Sequence, residues 1–235
     1  MDKFGILCAG DTELAPFIKI IKPCKATEKA MLKFYEGKMG KSAAVAVCSG
    51  VCKVNAAAAA QFLIDCFGVT VLINAGTAGG IDKDVRLFDT IVSEKLIYHD
   101  VAEDILTEFH PFLTENCFKS DGKLLAAARR YAESSDFSVL FGTTVTGEQF
   151  IENEERDKIS RKYSPLSADM ESAAVAHVCY LNGIPFLSVR TVTDTAEHNG
   201  LSNFEKNCET ASARAAEITA AVIMQLQEPQ AACPY

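Results

Sequence analysis

Four acidic residues stand where a chain of alternating strands and helices turns. Glu13 follows the first apolar run by five residues, Asp169 and Glu171 flank Met170, and Asp194 follows a run ending in Val192. Two or more carboxyls converging on one cleft are what acid–base chemistry on a glycosidic bond requires. Each also has a plainer explanation. Glu13, Asp169 and Glu171 fit the first turns of helices, where the dipole favours negative charge. Asp194, before Thr195, fits an N-cap. The segment Asn74–Gly80 (NAGTAGG) is rich in small residues that let a backbone approach a ligand closely. Its glycines lack the spacing of a dinucleotide fingerprint, and no Gly-Lys-Ser/Thr follows as in a P-loop. A tight turn packed on a helix accounts for it equally well.

Whether these residues meet depends on the elements carrying them. Phe4–Cys8, Val69–Asn74, Val139–Val145 and Pro185–Val192 read as buried strands, with further strand material at Thr90–Val92 and Leu96–Tyr98. Leu32–Met39 and Ala43–Cys48 predict a hairpin around Gly40-Lys41-Ser42. Helices are expected over Val54–Phe67, stopped by Gly68, and over Leu124–Glu133, Glu154–Lys162, Met170–Leu181 and Leu201–Leu226. His99–Cys117 is polar and aperiodic and predicts a long loop. Residues 228–235, with two prolines and no periodicity, predict a disordered tail.

The alternation predicts one α/β domain over residues 1–227, with a central mixed, twisted sheet flanked by helices. Ligands in such sheets bind beyond the carboxyl ends of the strands. That directs attention to Ala9–Glu13, Ser49–Val51, Ala75–Gly80, Thr146–Ile151 and Thr191–Asp194.

With 235 residues the chain can bury a substantial core without disulfides or metal. A formal charge of −8 argues against nucleic acid and anionic lipid as partners. No apolar run reaches the length of a membrane span, and the N-terminal apolar stretch is too short for a signal peptide. The nine cysteines form no C-x-x-C pair and lack nearby histidines, so they are expected to be reduced, buried thiols of a cytoplasmic protein. His99 and His177 read as structural, the latter on a helix surface.

Taken together, GILCAGDTE (Gly5–Glu13), Ser49-Gly50 with Lys53-Val54, NAGTAGG, Tyr98-His99-Asp100, Thr146–Ile151, Asp169-Met170-Glu171, and Val189-Arg190 with Thr193-Asp194 resemble the purine nucleoside phosphorylase/nucleosidase superfamily. Within it they are most similar to the bacterial methylthioadenosine/S-adenosylhomocysteine nucleosidases. The resemblance runs from Lys3 to about Leu226. It implies a nucleoside phosphorylase-like, partly barrel-like sheet, a homodimer, and hydrolysis of the adenine N-glycosidic bond with no metal or organic cofactor. It also implies roles. Asp194 would protonate adenine at N7, Glu13 would activate water, and Glu171 would hold the ribose hydroxyls and stabilise an oxocarbenium-like ring. Phe150 would stack on adenine, with main-chain groups of Ile151 reading its edge. Val51, Met170 and Phe204 would line an apolar slot, with Arg190, Thr77 and Asp169 supporting the sugar and water. Each of the apolar residues is otherwise ordinary core material.

Related phosphorylases bring arginines to phosphate after the first strand and before the Gly-rich segment. This chain has Gly10-Asp11-Thr12-Glu13 and Ile73-Asn74 there, leaving Arg190 as the single cation at the site. Hydrolysis is therefore expected over phosphorolysis. Gly10 in place of a usual Met, Asp169 in place of Glu and Thr77 in place of Ser depart from the nucleosidase pattern. The first two point to a different 5′-substituent or another adenine nucleoside, such as 5′-deoxyadenosine or a futalosine-type compound. A non-catalytic nucleoside-binding protein is the other class, one with no need of the acid–base set.

Overall fold

The computed structural model describes residues 2–151, 153–197 and 201–227. The chain opens with β1 (Lys3–Cys8), α1 (Asp11–Ile20), β2 (Lys22–Lys29), β3 (Leu32–Met39) and β4 (Ser42–Cys48). Next come α2 (Lys53–Phe67), β5 (Val71–Gly80) and β6 (Thr90–Tyr98). The expected loop after Tyr98 holds one short helix, α3 (Ile105–Glu108), before β7 (Phe118–Lys119). Then follow α4 (Gly122–Ala132), β8 (Val139–Thr146), α5 (Asn153–Tyr163) and β9 (Ser167–Asp169). The chain continues through α6 (Ser172–Asn182), β10 (Phe186–Asp194) and α7 (Leu201–Gln225). The tail expected at 228–235 lies outside the described residues.

Side-chain alternation sorts the strands between two helical layers. In β1, Phe4, Ile6 and Cys8 face α1, α4 and α7, packing with Phe17, Leu124, Ile218 and Val222. Leu7 faces the other way, toward Ala59 and Leu63 of α2 and Val175 of α6. α2 ends at Gly68, whose φ of 63° is the left-handed cap that glycine adopts without penalty.

One sheet holds all ten strands, in the order β10-β6-β8-β9-β5-β1-β4-β3-β2 with β7 beside β6. β10 also pairs with β5, so β5, β10, β6, β8 and β9 close into a ring, the partial barrel expected of the fold. β5 is the pivot. One edge runs parallel to β10 from Leu72 to Gly79. The other edge pairs with β1 from Val71 to Asn74 and with β9 only at Gly79 and Gly80. Between them, residues 75–78 have no strand partner on that edge, and a cleft opens at this switch of neighbours.

Four expectations change. The segment Asn74–Gly80 is strand throughout, not a turn. α1 and the edge strand β2 were not marked by the pattern, because Pro16 interrupts one and the other is exposed along nearly its whole length. The cysteines are unpaired among the described residues, but Cys24 and Cys66 are exposed rather than buried. His177 is not a plain surface residue: its ring stacks on Phe118 with centroids 4.9 Å apart. No helix among the described residues is long and apolar enough to cross a membrane.

Candidate active site

The cleft beside β5 is a cavity of about 430 Å³. It is lined by Glu13, Asp169, Glu171 and Asp194, together with Val51, Thr77, Phe150, Ile151, Met170 and Phe204. Of the residues expected at the site, Arg190 alone does not line it; it is fully buried behind the carboxyls. Phe150 and Val51 are 43% and 49% exposed, so they form the mouth, whereas Ile151 is buried.

Glu13 sits in the first turn of α1 and reaches back over the helix start. Its Oε2 accepts from the main-chain N–H of Ala9 at 2.8 Å and of Gly10 at 3.2 Å. Its Oε1 accepts from Thr77 N at 2.7 Å and Thr77 Oγ1 at 2.8 Å. The Thr77 N–H lies on the unpaired stretch of β5, so the strand's missing neighbour is replaced by a carboxylate. Gly76 makes this possible: a Cβ there would stand 2.5 Å from the Glu13 carboxyl carbon.

Glu171 precedes α6. Its Oε1 accepts from Cys52 N at 2.9 Å and its Oε2 from Arg190 Nη2 at 3.3 Å. Burial pushes its carboxyl up to about 7, with neighbouring Asp169 adding to the rise and Arg190 opposing it. Asp169 lines the cavity, yet both its oxygens are engaged. Oδ1 accepts from Thr146 Oγ1 at 2.6 Å and Ser172 N at 3.1 Å, and Oδ2 meets Arg190 Nε at 3.0 Å. Its work is to hold the start of α6 and the arginine.

Arg190 joins these carboxyls from beneath. Besides Asp169 and Glu171, its Nη1 lies 3.9 Å from Glu13 Oε1 and donates to Thr77 O at 3.3 Å.

Asp194 is the last residue of β10, not an N-cap. Its Oδ1 accepts from Thr193 Oγ1 at 3.1 Å, and Gly79 leaves room for Oδ2, which a Cβ there would approach to 3.1 Å. Burial raises its carboxyl above the ordinary range, against the pull of the Thr193 hydroxyl and of Arg156. Arg156 was missed from the sequence, and Arg190 is therefore not the single cation here. Arg156 lies in a strongly charged helix, but Ile159 and Tyr163, three and seven residues on, are the inward stripe that betrays it.

Carboxyls and apolar side chains lining one cavity are an arrangement that can perform acid–base chemistry. No cluster of three or more His, Cys, Asp or Glu suited to a metal ion occurs among the described residues. Residues 3–224 match the model of the Phosphorylase superfamily. The chain belongs to this superfamily. A 5′-methylthioadenosine/S-adenosylhomocysteine nucleosidase of Exiguobacterium sp. is 32% identical, over 96% of this chain and 99% of its own length. The corresponding nucleosidase of Colwellia psychrerythraea, solved in complex with adenine, is 32% identical with a TM-score of 0.87, covering 96% of each chain. That of Neisseria meningitidis, in complex with methylthio-immucillin-A, is 28% identical with a TM-score of 0.88, covering 96% of this chain and 100% of its own. Within the superfamily, then, the chain matches nucleosidases over 96% of its length.

Proposed function

We propose that this chain hydrolyses the adenine N-glycosidic bond of 5′-methylthioadenosine and S-adenosylhomocysteine, releasing adenine and a 5-thioribose. The observation that carries this reading is the consumption of the site's cations. Arg190 is spread over Glu13, Asp169 and Glu171, and Arg156 faces Asp194. Four carboxyls against two engaged guanidiniums make a poor seat for a phosphate dianion and a good one for a developing sugar cation. Water, not phosphate, is therefore the second substrate.

Adenine lies between Phe150 and the apolar wall of Met170 and Phe204, with the main chain at Ile151 along its edge. As the C1′–N9 bond breaks, its electron pair passes into the purine, and Asp194 delivers its proton to N7. Burial suits Asp194 to this, because it favours the protonated carboxyl. Glu171 accepts the ribose hydroxyls and faces the oxocarbenium-like ring. Water adds to C1′ and loses its proton to Glu13. The four donors to Glu13 fill its lone pairs, and the Thr77 hydroxyl is the one that rotates aside without disturbing backbone. No cofactor enters these steps.

The same reading makes the protein a cytoplasmic homodimer. Unpaired thiols suit a reducing compartment, and exposed Phe109 and Phe112 on the long loop suit a partner surface.

Incubation with methylthioadenosine, with and without phosphate, tests the proposal. The expected result is adenine and free methylthioribose at a rate indifferent to phosphate. A ribose 1-phosphate product, or ligand binding without adenine release, would refute it. A panel including 5′-deoxyadenosine and a futalosine-type nucleoside reads the 5′-preference directly.

A further inference from the structure

Arg156 enters the cavity from the most highly charged helix of the fold, yet it is only 4% exposed. One of its Nη atoms donates to Gly80 O, in close contact. Its Nη2 stands 3.6 Å from Asp194 Oδ2. Its Nε is buried without a hydrogen bond, and the residue lines the cavity. Burying a guanidinium is costly unless its donors are met. Arg190 shows how a structural arginine is met here, with three carboxyls, a hydroxyl and a carbonyl around it. Arg156 has one carbonyl and the acid, so support of the backbone does not account for its burial.

We propose that Arg156 is a positioning residue for proton delivery: it holds Asp194 in place and stabilises the carboxylate left behind once the proton has passed to N7. This rests on the reading of Asp194 as the acid. The Asp194 O–H bond breaks and its electron pair stays on oxygen, while N7 gains the proton as the C1′–N9 pair enters the purine. Negative charge thus develops on Asp194 within ion-pair distance of a fixed cation, where it is favoured most in the transition state.

Among the described residues Asp194 has no other ion-pair partner. β10 presents the Thr193 hydroxyl, α7 the buried thiol of Cys208, and β5 the backbone of Ala78 and Gly79. Glu13, Asp169 and Glu171 share the cavity but are tied to Arg190. Beside the Thr193 hydroxyl, Arg156 is therefore the charged counterweight to burial, helping to keep the acid from becoming too weak to release its proton.

The test is kcat/KM for adenine release from methylthioadenosine against pH, in wild type, Arg156→Met and Arg156→Lys. Activity requires protonated Asp194, so it falls as pH rises through that group's pKa. Removing the cation raises this pKa. In the Met variant the basic limb should move to higher pH by about one unit or more, and plateau kcat should fall about tenfold or more. The Lys variant keeps the charge on a single-point donor, and its limb should lie between those of wild type and Met. A Met variant with lowered kcat and an unmoved basic limb, or a Lys limb coinciding with that of Met, would overturn the proposal. Should thermal melting show the Met variant unfolded, the Lys variant decides: an upward displacement supports the proposal and none overturns it. A wild type that releases no adenine defeats the functional reading itself, an outcome distinct from all of these.

Discussion

Asp194 and Glu171 are both carboxyls that burial pushes toward the neutral form, and the chemistry needs them in opposite states. Asp194 must carry a proton to give, while Glu171 must be ionised to accept ribose hydroxyls and face a cation. With Glu171 raised to about 7 by burial, kcat/KM should fall as pH drops below that value. It should fall again as pH rises through the Asp194 transition, giving a bell. Glu171→Gln should remove the acid limb along with most activity. The linkage to stability has a definite sign. The folded state holds the Glu171 proton more tightly than the unfolded chain, whose carboxyls titrate near about 4.3. Its contribution to stability therefore improves as pH falls from above 7 toward that range. Melting curves over this window should show a flatter pH dependence in Glu171→Gln. Asp194→Asn keeps the shape and removes the proton: kcat should drop by about 10²–10⁴, with melting temperature and adenine affinity retained. Asp194 was legible in the sequence because it follows an apolar run, and Glu171 because it flanks Met170 at the start of a helical pattern. Arg156 was hidden, because one inward arginine among many charges looks like a solvated face.

At the scale of elements, the strong apolar runs reported themselves and the weak ones did not. VTVLIN marked β5, but the strand continues through NAGTAGG, since small residues there are demanded by Glu13 and Asp194 crossing its edge. Composition alone could not separate that from a turn. β2 carries lysines and little apolar surface because it is an edge, where charge discourages pairing with other chains. The start of α2 holds a further constraint. Cys52 has φ 83° and ψ 160°, a region left almost wholly to glycine, and its N–H donates to Glu171 at 2.9 Å. The strain sits in the residue that aims this donor. Cys52→Gly should relieve it and keep the donor. Allowing for the greater freedom of glycine in the unfolded chain, a net gain of about 1 kcal/mol is expected. Chemical denaturation should register that gain while kcat stays at the wild-type value. A loss of activity would mean that the thiol itself serves the site.

For the whole molecule, the ring of five strands settles where the site lies, but one chain leaves its mouth half open between Val51 and Phe150. The same chain exposes large apolar side chains that a lone monomer gains nothing by showing to water: Phe109 and Phe112 are 60% and 64% exposed, Val54 78% and Tyr180 51%. A second copy is the partner proposed for them, and a stable interface needs about 800 Å² from each side. Charging the loop should break such a contact, because burying a new carboxylate costs several kcal/mol. Sedimentation of the wild type should give a particle of two chains. A Phe109→Asp/Phe112→Asp double variant should sediment as a monomer with its fold intact. If the loop also closes a neighbour's pocket, the monomer should show a raised KM for methylthioadenosine, with the pH dependence set by Asp194 and Glu171 unchanged. A double variant that remains dimeric would remove this loop from the interface, and a wild type that is monomeric at every concentration would remove the interface altogether.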